Sequence, residues 1–146
     1  MRFGEHVRIL HVDDDAVDVA SLQRVLRRIG IRNRVIVAAD GEEALDFLQN
    51  DPTVDADSLI AMVDLNMPRM SGHEFLERVR ATPHLRSLVV YVLTSSDQEN
   101  DIAVAHRYNV AGYIVKPSAG DELFDVVQRL HQLWLVSEFA SGQTAH

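Results

Sequence analysis

The 146-residue chain has the length of one ordinary domain, enough to bury a hydrophobic core but short for a catalytic domain plus a separate effector. With 47% hydrophobic and 25% charged residues it has the composition of a soluble globular protein, and no apolar run approaches the roughly 18 residues that a membrane span requires. Fourteen Lys+Arg against 22 Asp+Glu leave a formal charge of −8, which opposes approach to nucleic acid; the lack of cysteine excludes disulfides, and MRFGEHVR carries no secretory pattern, so the chain is expected in the cytoplasm.

Short apolar runs alternate with longer segments of helical period, which predicts βα units around a mostly parallel sheet. The first strand is expected over Arg8 to Val12. The helix after it places Val19, Leu22, Val25, Leu26 and Ile29 on one face and ends with Gly30 at C′. Arg24, Arg27, Arg28, Arg32 and Arg34, the densest basic group, read as the solvated face and end of this helix rather than a nucleic-acid site. The second strand is Val35 to Ala38. Its helix starts near Gly41 with Ala44, Leu45 and Leu48 inward, and the polar loop DPTVDADS leads to a third strand, Leu59 to Val63. A third helix follows Gly72 and turns Phe75, Leu76 and Val79 inward. The fourth strand is expected over Leu88 to Leu93, the fourth helix over about Glu99 to Tyr108, the fifth strand over Gly112 to Val115, and the last helix from about Asp121 towards Phe139. Right-handed crossovers put helices on both faces of such a sheet. The expected architecture is therefore one α/β domain over 1–146, a five-stranded parallel doubly wound sheet of order 2-1-3-4-5, with a core over about 7–139 and a disordered tail over 140–146.

Ligands of open α/β sheets bind beyond the carboxyl ends of the strands. Strand one ends in Asp13, Asp14 and Asp15, strand three in Asp64 followed by Asn66, strand four in Thr94, Ser95 and Ser96, and strand five in Lys116. The order 2-1-3-4-5 makes these four strands adjacent. Aspartates gathered in one cleft cannot all stay ionised cheaply unless a cation sits among them, and oxygen-only ligands select Mg²⁺ or Mn²⁺ over zinc. Asp15, just before a helical pattern, reads as an N-cap, whereas Asp14 and Asp64 together read as metal ligands. Lys116 at the end of a buried strand calls for an anion, which Asp64 supplies at rest and a phosphorylated Asp64 supplies more strongly, with the Thr94 hydroxyl alongside.

The fragments ILHVDDD (9–15), VDLNMPRMSG (63–72), YVLTSS (91–96) and AGYIVKP (111–117) resemble, in that order, the receiver domains of bacterial two-component response regulators, over nearly the whole chain. The resemblance implies a flavodoxin-like receiver fold with Asp64 as phosphoacceptor, Asp13 and Asp14 as the acidic pair, and Mg²⁺ held by Asp14, Asp64 and the backbone carbonyl of Asn66, with Asp13 acting indirectly. Thr94 and Lys116 would be the switch hydroxyl and the phosphate-binding lysine, Tyr113 the aromatic switch, and the Lys116–Pro117 bond cis. The implied activity is self-catalysed phosphotransfer from a sensor histidine kinase, a switch rather than a turnover enzyme, with Asn66 and Ser96 governing water access to the acyl phosphate.

The long loop before Leu59 and the segment LHQLWLVSEF look like those of the stand-alone regulators paired with bacterial phytochromes, so such a sensor is the expected partner. In the last helix, Phe124, Leu135 and Phe139 lie on a different side from the Leu123–Val127–Leu130–Trp134 stripe, and this second apolar side suggests a homodimer surface. Alternatives remain in two other classes. An aspartyl-phosphate hydrolase commonly wants a second carboxylate where Asn66 stands, and a phosphorylation-independent binding module would not need every chemical position filled. A flavin-binding module would need an anion-attracting loop where DDDAVD is acidic.

Overall fold

The computed structural model describes residues 7–28, 30–67, 70–94, 103 and 106–115. Within them run β1 (Arg8–Val12), α1 (Ala16–Arg28), β2 (Val35–Ala38), α2 (Gly41–Asn50), β3 (Leu59–Asp64), α3 (Gly72–Ala81), β4 (Val89–Thr94) and β5 (Gly112–Val115). Short 3₁₀ turns at Ala56–Ser58 and Pro83–Leu85 lead into β3 and β4. Of the fourth predicted helix, Ala103, His106 and Arg107 are described and helical, while Tyr108, its expected last residue, lies in a turn. The last helix and the expected 140–146 tail lie outside the described residues.

All strand pairings are parallel and the order is β2-β1-β3-β4-β5, as the alternation of strand and helix predicts. β3 is central and all six of its residues are buried, which explains its unbroken apolar run up to Asp64. Successive side chains leave a strand on opposite faces, and the two faces separate cleanly. Leu10, Val12, Ala61, Val63, Val90 and Val92 pack with Leu45 and Leu48 of α2 and Phe75, Leu76 and Val79 of α3. Ile9, Ile60, Met62 and Leu93 pack with Leu22, Val25 and Leu26 of α1 on the other face. Helices thus cover both faces, and no helix among the described residues is long and apolar enough to cross a membrane.

Local signals set the ends of α1. Asp15 Oδ1 accepts from the Val17 N–H at 2.8 Å and the Asp15 carbonyl accepts from Val19 N–H, the N-cap role its position predicts. At the other end Gly30 takes φ +85°, its N–H bonding Arg27 O and that of Ile31 bonding Leu26 O, the Schellman pattern with glycine at C′. Two expectations shift. β4 starts one residue later than expected because Leu88 N–H bonds back to Leu85 O, and it gains Thr94, which pairs with Val115. The DPTVDADS loop contains an ordered turn because the Asp55 side chain accepts from Asp57 N–H at 3.0 Å.

Arg80, near the end of α3, holds the start of β5 in place. Its Nε donates to Tyr108 O at 2.8 Å, its Nη1 to Arg86 O at 2.9 Å and Leu88 O at 2.8 Å, and its Nη2 to Asn109 O at 3.2 Å. Asn109 sits at φ 56°, a left-handed conformation that asparagine tolerates, and Ala111 N–H then bonds Val90 O to enter the ladder. Four carbonyls from two loops therefore share one guanidinium. Arg80→Ala should lower stability by about 2–4 kcal/mol in urea unfolding, since charged hydrogen bonds are lost and their acceptors stranded. Arg80→Lys, a point charge without the fork, should recover less than half of that loss.

Candidate functional site

The β1–β3 ladder pairs Val12 with Val63, so the next residues, Asp13 and Asp64, emerge side by side at the carboxyl edge of the sheet. Both are buried, at 2% and 4% exposure, while Asp14 on the turn after β1 is exposed. Carboxylate oxygens of Asp13, Asp14 and Asp64 all lie within 4.8 Å of one another. Asp15 is turned away to cap α1, so the structure divides the DDD run into two pocket residues and one cap.

Backbone donors orient the buried pair. Asp13 Oδ1 accepts from Asp15 N–H at 2.9 Å, and Asp64 Oδ1 accepts from Asn66 N–H at 3.0 Å. Leu65 N–H bonds Leu93 O, which extends the β3–β4 pairing just past Asp64. The chain then folds back tightly into α3. Gly72 N–H bonds Leu65 O, and the Ser71 hydroxyl caps the helix by accepting from Glu74 N–H at 3.2 Å. A Cβ on Gly72 would stand 2.6 Å from Leu65 Cα and 2.7 Å from Asp64 O, so only glycine lets α3 start this close to the acidic strand end.

Three converging carboxylates are the donor set that a hard divalent cation takes, and buried carboxylates this close are unfavourable without one. The chemistry of the donors therefore fits Mg²⁺ or Mn²⁺. Of the other expected site residues, Thr94 ends β4 and Tyr113 is half-buried, paired with Val92 and packed against the α2–α3 side of the core. The Thr94 side chain, Ser96, Lys116, the Lys116–Pro117 bond, Phe124, Leu135 and Phe139 lie outside what is described. Two residues escaped the sequence reading. Gly72 served there only as a helix boundary, and His11, fully buried with Nε2 3.4 Å from Asp13 Oδ2, received no role. The signal for His11 was present, a polar residue inside the apolar run ILHV.

Fold and pocket together define a doubly wound α/β protein with a carboxylate triplet, a donor set suited to a hard divalent cation, on the edge of its central strands. Residues 9–128 match the response regulator receiver domain, and the chain belongs to that family. It is 32% identical to response regulator Rcp1 of Synechocystis sp. (strain ATCC 27184 / PCC 6803 / Kazusa), over 87% of this chain and 88% of that protein. The crystal structure of the Mn(2+)-bound form of Rcp1 superposes with a TM-score of 0.75, covering 88% of this chain and 94% of that one at 32% identity. The phosphorylated cyanobacterial phytochrome response regulator RcpA gives a TM-score of 0.78 at 29% identity, covering 90% of this chain and 96% of that one. The bacteriophytochrome response regulator AtBRR gives 0.69 at 34% identity, with 85% and 91% covered. Receiver domains are phosphoacceptor switches of two-component signalling that partner with histidine kinases and bind Mg²⁺ or Mn²⁺ at an acidic pocket.

Gly72→Ala should cost about 1–3 kcal/mol in urea unfolding, because the added methyl meets backbone rather than a side chain that could move aside. A midpoint equal to wild type would show that the approach relaxes freely.

Proposed function

We propose that this receiver takes a phosphoryl group from a sensor histidine kinase onto Asp64, and the observation that carries the assignment is the convergence of Asp13, Asp14 and Asp64 within 4.8 Å. A carboxylate oxygen of Asp64 attacks phosphorus in line with the P–N bond of a phosphohistidine. The O–P bond forms as the P–N bond breaks, and the imidazole leaves with the electron pair and takes up a proton. Asn66 N–H, bonded to Asp64 Oδ1, fixes the plane of the attacking carboxylate. Asp14, Asp64 and the backbone carbonyl of Asn66 are the proposed cation ligands, with Asp13 acting indirectly. When bound, Mg²⁺ or Mn²⁺ supplies charge neutralisation for the transferring oxygens.

The family motifs support assigning Lys116 and Thr94 to the phosphoryl oxygens, Tyr113 to the responding aromatic, and Asn66 and Ser96 to control of hydrolysis. The signal is a population shift: Thr94 moves toward the phosphoryl group, and the surface near Tyr113 changes shape. A bacterial phytochrome is the proposed kinase, supported by the similarity to RcpA and AtBRR, and the cytoplasm is the proposed compartment. The readout is proposed to be a homodimer through the second apolar side of the last helix, Phe124, Leu135 and Phe139.

Asp64→Ala should abolish labelling by a phosphorylated cognate kinase; acid-labile, hydroxylamine-sensitive label retained by the variant would sink the assignment. Chelation of divalent cations should slow transfer on the order of 100-fold, measured by single-turnover phosphotransfer with Mg²⁺ and then with excess EDTA. Light scattering at high protein concentration, with and without a phosphoryl mimic, should give a dimer mass that Phe124→Asp or Leu135→Asp converts to monomer; a wild type monomeric in both states would overturn the dimer.

A further inference from the structure

His11 occupies a slot that the fold reserves for an apolar side chain. In β1 it pairs with Val37 of β2 and Met62 of β3, and it alternates onto the face where Ile9, Met62 and α1 pack. Its imidazole is fully buried, and neither ring nitrogen has a hydrogen-bond partner among the described residues. A leucine or valine would fit such a place without the cost of burying ring nitrogens, so packing alone does not account for a histidine there.

The polar group that His11 does meet is Asp13. Nε2 stands 3.4 Å from Asp13 Oδ2, with both side chains at 0% exposure. The other oxygen of the same carboxylate, Oδ1, accepts from Asp15 N–H at 2.9 Å. Asp13 is thereby flanked at both oxygens, by a backbone donor from the turn and by an imidazole from its own strand. The Nε2–Oδ2 approach is a close polar contact without hydrogen-bond alignment.

We propose that His11 is a positioning residue for the acidic triplet: it sets the rotation of the Asp13 carboxylate and offsets part of the repulsion that Asp13 exerts on Asp14 and Asp64. The role rests on the reading of that triplet as the cation site. Groups that support a metal site from behind its ligands typically change metal affinity by about 10–100-fold when removed, and His11, one contact further out behind the indirect carboxylate Asp13, belongs at the low end of that range.

The test uses the full chain, with Mn²⁺ affinity read from the free-ion EPR signal, Mg²⁺ affinity from competition, and stability from urea unfolding in excess EDTA. His11→Leu should weaken Mn²⁺ binding about 10-fold while its metal-free unfolding midpoint holds or rises, a combination that a merely space-filling histidine would not produce. His11→Gln, which keeps an amide donor at the reach of Nε2, should bind close to wild type. If the leucine side chain prevents folding, His11→Val, the residue type that follows in β1, is read in the same way. Unchanged affinity in the apolar variants, or equal loss in the apolar and Gln variants, would overturn the positioning role. A wild type that binds neither ion would overturn the cation reading itself, and this role with it.

Discussion

The parallel register of β1 against β3 is the constraint on which the pocket depends. Because Val12 faces Val63, the residues that follow each of them, Asp13 and Asp64, leave the sheet together, and the turn after β1 swings Asp14 in to join them. A slip of one residue would exchange the side chains packed against α1 for those packed against α2 and α3, so the different packing of the two faces enforces the register. The acidic cluster is thus a consequence of hydrophobic packing. At an effective dielectric near 20, unit charges at the 4.8 Å limit of this cluster repel by about 3 kcal/mol, a cost that the packed sheet bears and that a divalent cation removes.

The surrounding structure holds those carboxylates in one arrangement. Backbone N–H groups of Asp15 and Asn66 fix an oxygen each on Asp13 and Asp64, and His11 faces the remaining oxygen of Asp13 from within the sheet. The close start of α3, permitted by Gly72, leaves no room for a side chain beside the Asp64 carbonyl. From the far end of the same helix Arg80 grips the carbonyls of Tyr108 and Asn109, just ahead of β5. One rigid helix therefore touches both the acidic strand end and the turn that launches the strand carrying Tyr113.

Much of this was legible in the sequence because it is written in local chemistry. Short apolar runs and period-3.6 apolar patterns marked all five strands and the first three helices, Asp15 announced an N-cap and Gly30 a C′ residue, and the strand-end aspartates announced an acidic cluster. Where a boundary moved, a single backbone turn bond decided. Leu88 looks like the start of a strand by composition, yet its N–H is taken by Leu85 O, and β4 begins at Val89 instead.

The sequence by itself determined the order of elements, the two-faced core and the identities of the pocket carboxylates, since all of these follow from side-chain periodicity and from which residues terminate apolar runs. Only the tertiary structure decided that Asp13, Asp14 and Asp64 bring carboxylate oxygens within 4.8 Å of one another, that Gly72 must lack a side chain, that Arg80 serves four carbonyls, and that His11 stands against Asp13. Each of those depends on where a side chain points relative to backbone that packs against it in three dimensions, and that direction has no periodic signature along the chain.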